Sequence, residues 1–160
     1  METLAPEISD YELERGKPMP SLKHARIQKR LVRQVEDFLQ TRYEVLAEIS
    51  LAIAEAKMIP DVAIFTEGEL PDSVGPDYTA VTVVPRTAIE ILSPTQVIAE
   101  LLEKAGRYFA AGVQSYWMVV PELRAVAVFS EPGKYKYFYN GQTLTDPVTG
   151  AEIVVSQLFD

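Results

Sequence analysis

The sequence predicts an α/β domain, a mixed β-sheet flanked by helices. Three observations predict it. Ile27, Leu31, Val35, Phe38 and Leu39 recur at helical spacing between Ser21 and Gln40. Thr87 to Val120 reads as strand, helix, strand, which calls for a crossover between parallel strands. Arg124–Phe129 and Tyr135–Tyr139 are strand-like runs of antiparallel character.

Each element has its own signal. Ser21, behind Pro18 and Pro20, is a natural N-cap for the first long helix. At about 100° per residue, its basic side chains Lys23, Arg26, Lys29, Arg30 and Arg33 fall opposite the apolar positions, whereas His24 and Gln28 fall on the apolar side. From Tyr43, Val45, Ala47, Ile49 and Leu51 alternate with Glu44, Leu46, Glu48 and Ser50, which predicts a strand or hairpin, although the alanine-rich AIAEA stretch leaves a helix open. Pro60-Asp61 opens the apolar run Val62 to Phe65, and a turn-rich loop with Gly68, Pro71, Gly75 and Pro76 follows, the expected mobile segment. Thr87 to Leu92 is a branched, buried-looking strand. Val97, Ile98, Leu101, Leu102, Ala105, Tyr108 and Phe109 then share one helical arc, ending at Gly112. Val113 to Val120 is the next strand, and Asn140-Gly141 is a hairpin turn signal.

Composition bounds the function. The chain has 160 residues, 48% hydrophobic and 24% charged, which is one globular domain without linkers or repeats. It contains no cysteine and one histidine, His24. Disulfides, zinc–thiolate sites and a cysteine nucleophile are therefore absent, and a Ser-His-Asp triad is hard to assemble. Neither a secretory leader nor an apolar run near the ~20 residues of a membrane span is visible, so a cytoplasmic protein without membrane contact is expected. The net charge of −8 opposes broad electrostatic binding of nucleic acid, so a polyanion would have to meet a local basic patch or cations held on carboxylates.

Three residues carry candidate chemistry. Asp61 begins a strand, Glu90 interrupts an otherwise apolar one, and Lys104 sits at the edge of the following helix's apolar arc. An acid after proline is ordinary turn chemistry, and an edge lysine ordinarily snorkels. Glu90 is different, because a carboxylate within TAIEIL is buried on a covered sheet and needs a partner or a metal. Two acids at the ends of adjacent strands would make a hard-oxygen site of the kind that holds Mg²⁺ together with water and phosphate oxygens.

The stretches YELERGK, KHARI, PDVAIF, AIEILSPT, LLEKAGRYFAAGV and SYWMVVPE, in that order, resemble the Uma2 family of endonucleases, formerly the DUF820 group, found in cyanobacteria and other bacteria. The resemblance runs from about Tyr11 to Phe129. It implies the PD-(D/E)XK nuclease fold, a restriction-endonuclease-like sheet, over a single domain spanning residues 1–160, and metal-dependent hydrolysis of DNA phosphodiesters. Asp61 and Glu90, with a backbone carbonyl near Ile91, would hold Mg²⁺, or Mn²⁺ in its place. The lysine that usually follows the second acid by two positions is replaced here by Leu92, and Lys104 matches the family's lysine on the next helix. Glu48 falls where a further acid can join the metal. Glu12, His24 and Glu100 match the family at more peripheral positions, although Glu100 stands where aspartate is commoner and Val120 departs from an aspartate.

The basic stripe Lys23, Arg26, Lys29, Arg30 and Arg33 is the densest positive cluster and the candidate phosphate contact, though a solvated helix face is its ordinary reading. No DNA-reading module is visible. A homodimer would suit cutting two strands, and a partner protein could deliver the DNA. The competing reading is a catalytically silent nuclease fold used as a protein-interaction module through Tyr135, Tyr137 and Tyr139. A small-ligand enzyme of another α/β type lacks its glycine-rich phosphate loop.

Overall fold

The structure is a computed structural model and describes residues 8–160. A short helix α1 (Asp10–Arg15) leads into the long helix α2 (Leu22–Leu39), whose N-terminus is capped as expected, the Ser21 hydroxyl accepting from the His24 N–H. Strands β1 (Tyr43–Ala47), β2 (Val62–Thr66) and β3 (Thr87–Ile91) follow, then helix α3 (Ile98–Ala110) and strands β4 (Ser115–Val120), β5 (Ala125–Glu131) and β6 (Lys134–Tyr139). The chain closes with the small ribbon β7 (Thr143–Thr145) and β8 (Glu152–Val154) and one helical turn, α4 (Ser156–Phe159). Among the described residues no helix is long and apolar enough to cross a membrane.

The six strands β1 to β6 lie side by side in chain order. Only β3 and β4 run parallel, joined through α3, and every other pairing is antiparallel. The sheet is covered on both faces, so β3 and β4 are buried along their whole length. Ile27, Leu31, Val35 and Leu39 of α2 pack with Ile64, Ile89, Trp117 and Val126 on one face. Leu101, Ala105 and Tyr108 of α3 pack with Ala63, Phe65, Ala88 and Met118 on the other.

The elements depart from the sequence pattern in four places. Phe38 of α2 is half exposed, and Val97, the N-cap of α3, faces solvent with Ile98 and Leu102 of that helix, so the buried stripes are narrower than the apolar arcs. Only the central row of each apolar arc reaches the sheet, and the flanking apolar positions stay outside. The strand from Tyr43 stops at Ala47 because Glu48 adopts a left-handed backbone with φ +53°, and the AIAEA stretch forms no helix. Asn140-Gly141 turns the chain, with the Gln142 N–H donating to the Tyr139 carbonyl, yet it does not join two paired strands: β6 stays in the main sheet while β7 pairs with β8. Turn chemistry reverses the chain locally, but burial of Leu144 under α2 decides where the next strand goes. The hairpin proper is β5–β6, closed at Gly133 with φ +76°.

A buried carboxylate ties the small ribbon to the main sheet. Asp146 accepts the Trp117 indole N–H at 3.0 Å and both the backbone N–H and the hydroxyl of Thr149 at 2.7 Å. Replacing Asp146 with alanine would orphan these donors in a site only 1% exposed. The expected cost is about 2–5 kcal/mol in urea denaturation, with Asp146→Asn losing less because one acceptor oxygen remains.

Candidate active site

Strand register brings the two acids together. Val62 of β2 pairs with Ile89 of β3, so Asp61, one residue before the strand, falls opposite Glu90. Residues opposite one another in an antiparallel pair point to the same face. The meeting point lies at the carboxyl ends of the parallel pair β3–β4, the end of an α/β sheet where ligands ordinarily bind. Glu48 arrives at the same end, because β1 is antiparallel to β2 and its next residue donates its N–H to the Asp61 carbonyl at 3.2 Å.

Both acids are removed from water, Asp61 completely and Glu90 to 1% exposure. Such groups persist only when paired. Asp61 Oδ2 accepts the Ile91 backbone N–H at 2.7 Å, which fixes the carboxylate across the β2–β3 gap. Its Oδ1 faces Lys17 Nζ at 2.7 Å, Arg15 Nη2 at 3.1 Å and His24 Nε2 at 3.1 Å. Glu90 Oε1 accepts the Tyr108 hydroxyl at 2.9 Å, and its Oε2 lies 3.1 Å from Lys17 Nζ and 4.0 Å from Lys104 Nζ. Lys104 and Tyr108 are one helical turn apart on α3, which is why both reach the same carboxylate. Gln28 on α2 completes the frame, its amide donating to the Asp61 carbonyl at 2.9 Å.

The electrostatics separate the two acids. Burial works to raise the Asp61 pKa, but Lys17 and His24 beside it outweigh that and hold the carboxyl well below the usual range. For Glu90 burial wins over the pull of Lys17, and its pKa is raised. Burial also acts to lower the Lys17 pKa, but Glu90 and Asp61 together raise it, so its ammonium is firmly charged. Burial and the adjacent Glu90 push the Tyr108 phenol well above its ordinary value, keeping it a hydrogen-bond donor.

The residues singled out in the sequence divide clearly. Asp61, Glu90, Lys104 and His24 come together. Glu48 joins indirectly, through Arg15, which it shares with Asp61, and through the Tyr11 hydroxyl at 3.2 Å. Glu12 lies outside the cluster and belongs to the start of α1, where Ser9 caps its N–H. Glu100 is exposed in the first turn of α3. Of the basic stripe, Lys23, Arg26, Lys29 and Arg33 are exposed, while Arg30 donates to the Leu158 carbonyl at 3.1 Å. Sequence reasoning missed Arg15, Lys17 and Tyr108. Lys17 was legible only as part of the stretch YELERGK, where a charged residue in a polar lead-in gives no periodic signal of burial.

Comparison with known proteins gives the family and the fold. A family model described as "Uma2: Putative restriction endonuclease" matches residues 2–156. The chain belongs to the Uma2 family. Among solved structures, a crystal structure from Anabaena variabilis ATCC 29413, titled as that of a putative nuclease belonging to DUF820, aligns with a TM-score of 0.78 at 22% identity, covering 89% of this chain and 83% of that one. It shows that the two chains share one fold, a mixed α/β sheet flanked by helices. A DrdV–DNA complex aligns with a TM-score of 0.39 at 14% identity, over 84% of this chain and 13% of that one, too remote to carry an argument. No curated protein matches.

The cluster predicts its own energetics. Asp61→Ala would strand Lys17, Arg15 and the Ile91 N–H, and the expected loss is about 3–5 kcal/mol of unfolding free energy. Lys104→Ala, whose amine is partly solvated and 4.0 Å from Glu90, is expected to cost less than about 1 kcal/mol. Urea titrations of the two variants check the contrast.

Proposed function

We propose that this Uma2 protein is a metal-dependent DNA endonuclease that hydrolyses phosphodiester bonds at the Asp61–Glu90 centre. The observation that carries the reading is that one cationic atom, Lys17 Nζ, lies 2.7 Å from Asp61 Oδ1 and 3.1 Å from Glu90 Oε2, so oxygens of both acids converge on a point that one cation can serve. The donors are hard carboxylate oxygens, which suits Mg²⁺ or Mn²⁺. Among the described residues no three acidic or histidine side chains converge on one point, so the other ligands would be water, backbone carbonyl and phosphate oxygen. Asp61 and Glu90 would hold the ion; when bound, it supplies Lewis-acid polarisation of the phosphate and a more acidic water.

The chain's own groups prepare the rest. Tyr108 holds Glu90 by Oε1, which leaves Oε2 directed at the centre. The Ile91 N–H does the same for Asp61, holding Oδ2 while Oδ1 is turned toward the centre. Lys104, partly open to solvent beside Glu90, is placed to orient an attacking water and to neutralise charge that develops on the phosphate. The exposed stripe Lys23, Arg26, Lys29 and Arg33 on α2 offers phosphate contacts on a chain of net charge −8, with Arg30 alongside. Delivery of DNA by a partner protein, or a channel made by a homodimer, would compensate for that charge.

The test is cleavage of supercoiled plasmid and of a single-stranded circle with Mg²⁺ or Mn²⁺. Wild-type protein is expected to cut, and Asp61→Asn and Glu90→Gln to lose at least about 100-fold in rate, in line with the loss of a central electrostatic group. Cutting that survives both substitutions overturns the assignment. For the basic stripe, Lys29→Ala combined with Arg33→Ala is expected to weaken DNA binding equally across sequences and to lower the salt dependence of log K by about 2. The second reading, a silent interaction module, is favoured by the same Lys17, which already neutralises the acids, and by the exposed Tyr135, Tyr137 and Tyr139 on edge strand β6. Absence of cutting with either metal and either substrate would select it.

A further inference from the structure

We propose that Lys17 is a tethered cation standing where a divalent metal would sit between Asp61 and Glu90, so that the α1 segment and the metal compete for one site. The inference rests on the reading of these acids as metal ligands.

Geometry comes first. Lys17 Nζ is within hydrogen-bond distance of one oxygen of each acid and is buried, only 5% of the residue being exposed. A small divalent ion binds carboxylate oxygens at about 2.0–2.1 Å, so it would need the volume that the ammonium fills. The two cations cannot share a buried point, because like charges at contact in a poorly screened interior repel strongly.

Charge balance gives the same answer. The cluster sets the carboxylates of Asp61, Glu90 and Glu48 against the cations of Arg15, Lys17 and Lys104, with the His24 imidazole also 3.1 Å from Asp61, so the docked segment leaves no negative charge unmatched. Arg15 and Lys17 belong to one short segment and together bring two positive charges, the charge of one divalent ion. Exchanging the segment for the ion therefore leaves the total charge of the centre unchanged, whereas adding the ion to the docked segment raises it by two.

The segment is also built to leave. Between residues 8 and 20 only Arg15 and Lys17 are buried. The apolar side chains of the same stretch face outward, Ile8 at 67%, Leu13 at 66% and Met19 at 52% exposure. What holds α1 down is its attraction to the acids, joined by the exposed contacts of Tyr11 with Glu48 and of Glu14 with Lys57. Gly16, at φ +71° between the two cations, ends α1 and lets both side chains turn inward. A metal on Asp61 and Glu90 removes the interaction that docks the segment, and undocking opens the centre.

The experiment titrates Mn²⁺ into metal-stripped wild-type protein, Lys17→Met, Lys17→Gln and Asp61→Asn, followed by calorimetry, and measures amide hydrogen exchange of residues 10–17 in wild-type protein with and without Mn²⁺. The expected result is at least tenfold tighter Mn²⁺ binding in both Lys17 variants than in wild type, no binding in Asp61→Asn, and faster exchange of residues 10–17 in wild-type protein with Mn²⁺. Equal or weaker binding in the Lys17 variants, with Asp61→Asn still abolishing it, overturns the competition and leaves the metal site standing. Absence of Mn²⁺ binding in all four proteins overturns both. Should the Lys17 variants fail to fold, exchange in wild-type protein decides: unchanged or slower exchange at saturating Mn²⁺ overturns the proposal.

Discussion

Two carboxylates held side by side and out of water set the terms for this molecule. Neither Asp61 nor Glu90 can keep its charge in a closed interior without donors, and each neighbouring element supplies them. α2 contributes His24, with Gln28 holding the Asp61 backbone carbonyl, α3 contributes Tyr108 and Lys104, β3 contributes the Ile91 N–H, and the segment ahead of α2 contributes Arg15 and Lys17. The α2 start, the α3 register and the docking of α1 are thus tied to one polar centre. Apolar packing sets the layers, and the centre sets how their ends meet.

The same arrangement explains why two chemically equivalent acids behave differently. Asp61 gathers charged and backbone donors on both oxygens, while Glu90 relies on a neutral phenol for one oxygen and shares Lys17 for the other. Charge therefore concentrates on Asp61, and burial tells more heavily on Glu90. Asymmetry of this kind is what allows one acid to stay a fixed anion beside another that holds its proton more readily.

Much of the architecture was legible in the residues. The Ser21 cap, the apolar spacing of α2 and the strand–helix–strand unit all rest on local signals that burial then confirms. Glu90 announced itself as an acid in an apolar strand, and Asp61 as an acid at a strand's start. Their convergence was not legible, because it depends on a strand register that only the folded sheet fixes. Lys17 was hidden for the opposite reason. It has no periodic neighbours, and its burial is driven by charges 44 and 73 residues away. Resemblance to Uma2 sequences pointed to the acids and Lys104 but gave no reason to look at a lysine beside a glycine and a proline. The Asn140-Gly141 turn misled in a simpler way, since a local reversal does not name the strand it leads to.

The buried face of α2 has a consequence for how the chain is made. Ile27, Leu31, Val35 and Leu39 pack not only on the sheet but also on Leu144, Ile153, Val155 and Leu158, residues from the far end of the sequence, and Arg30 is bonded to the Leu158 carbonyl. During synthesis the first long helix therefore emerges well before the surface that finishes its burial. Until residues 144–158 have been made, its apolar stripe is only partly covered, and native docking there is a late step rather than an early local one.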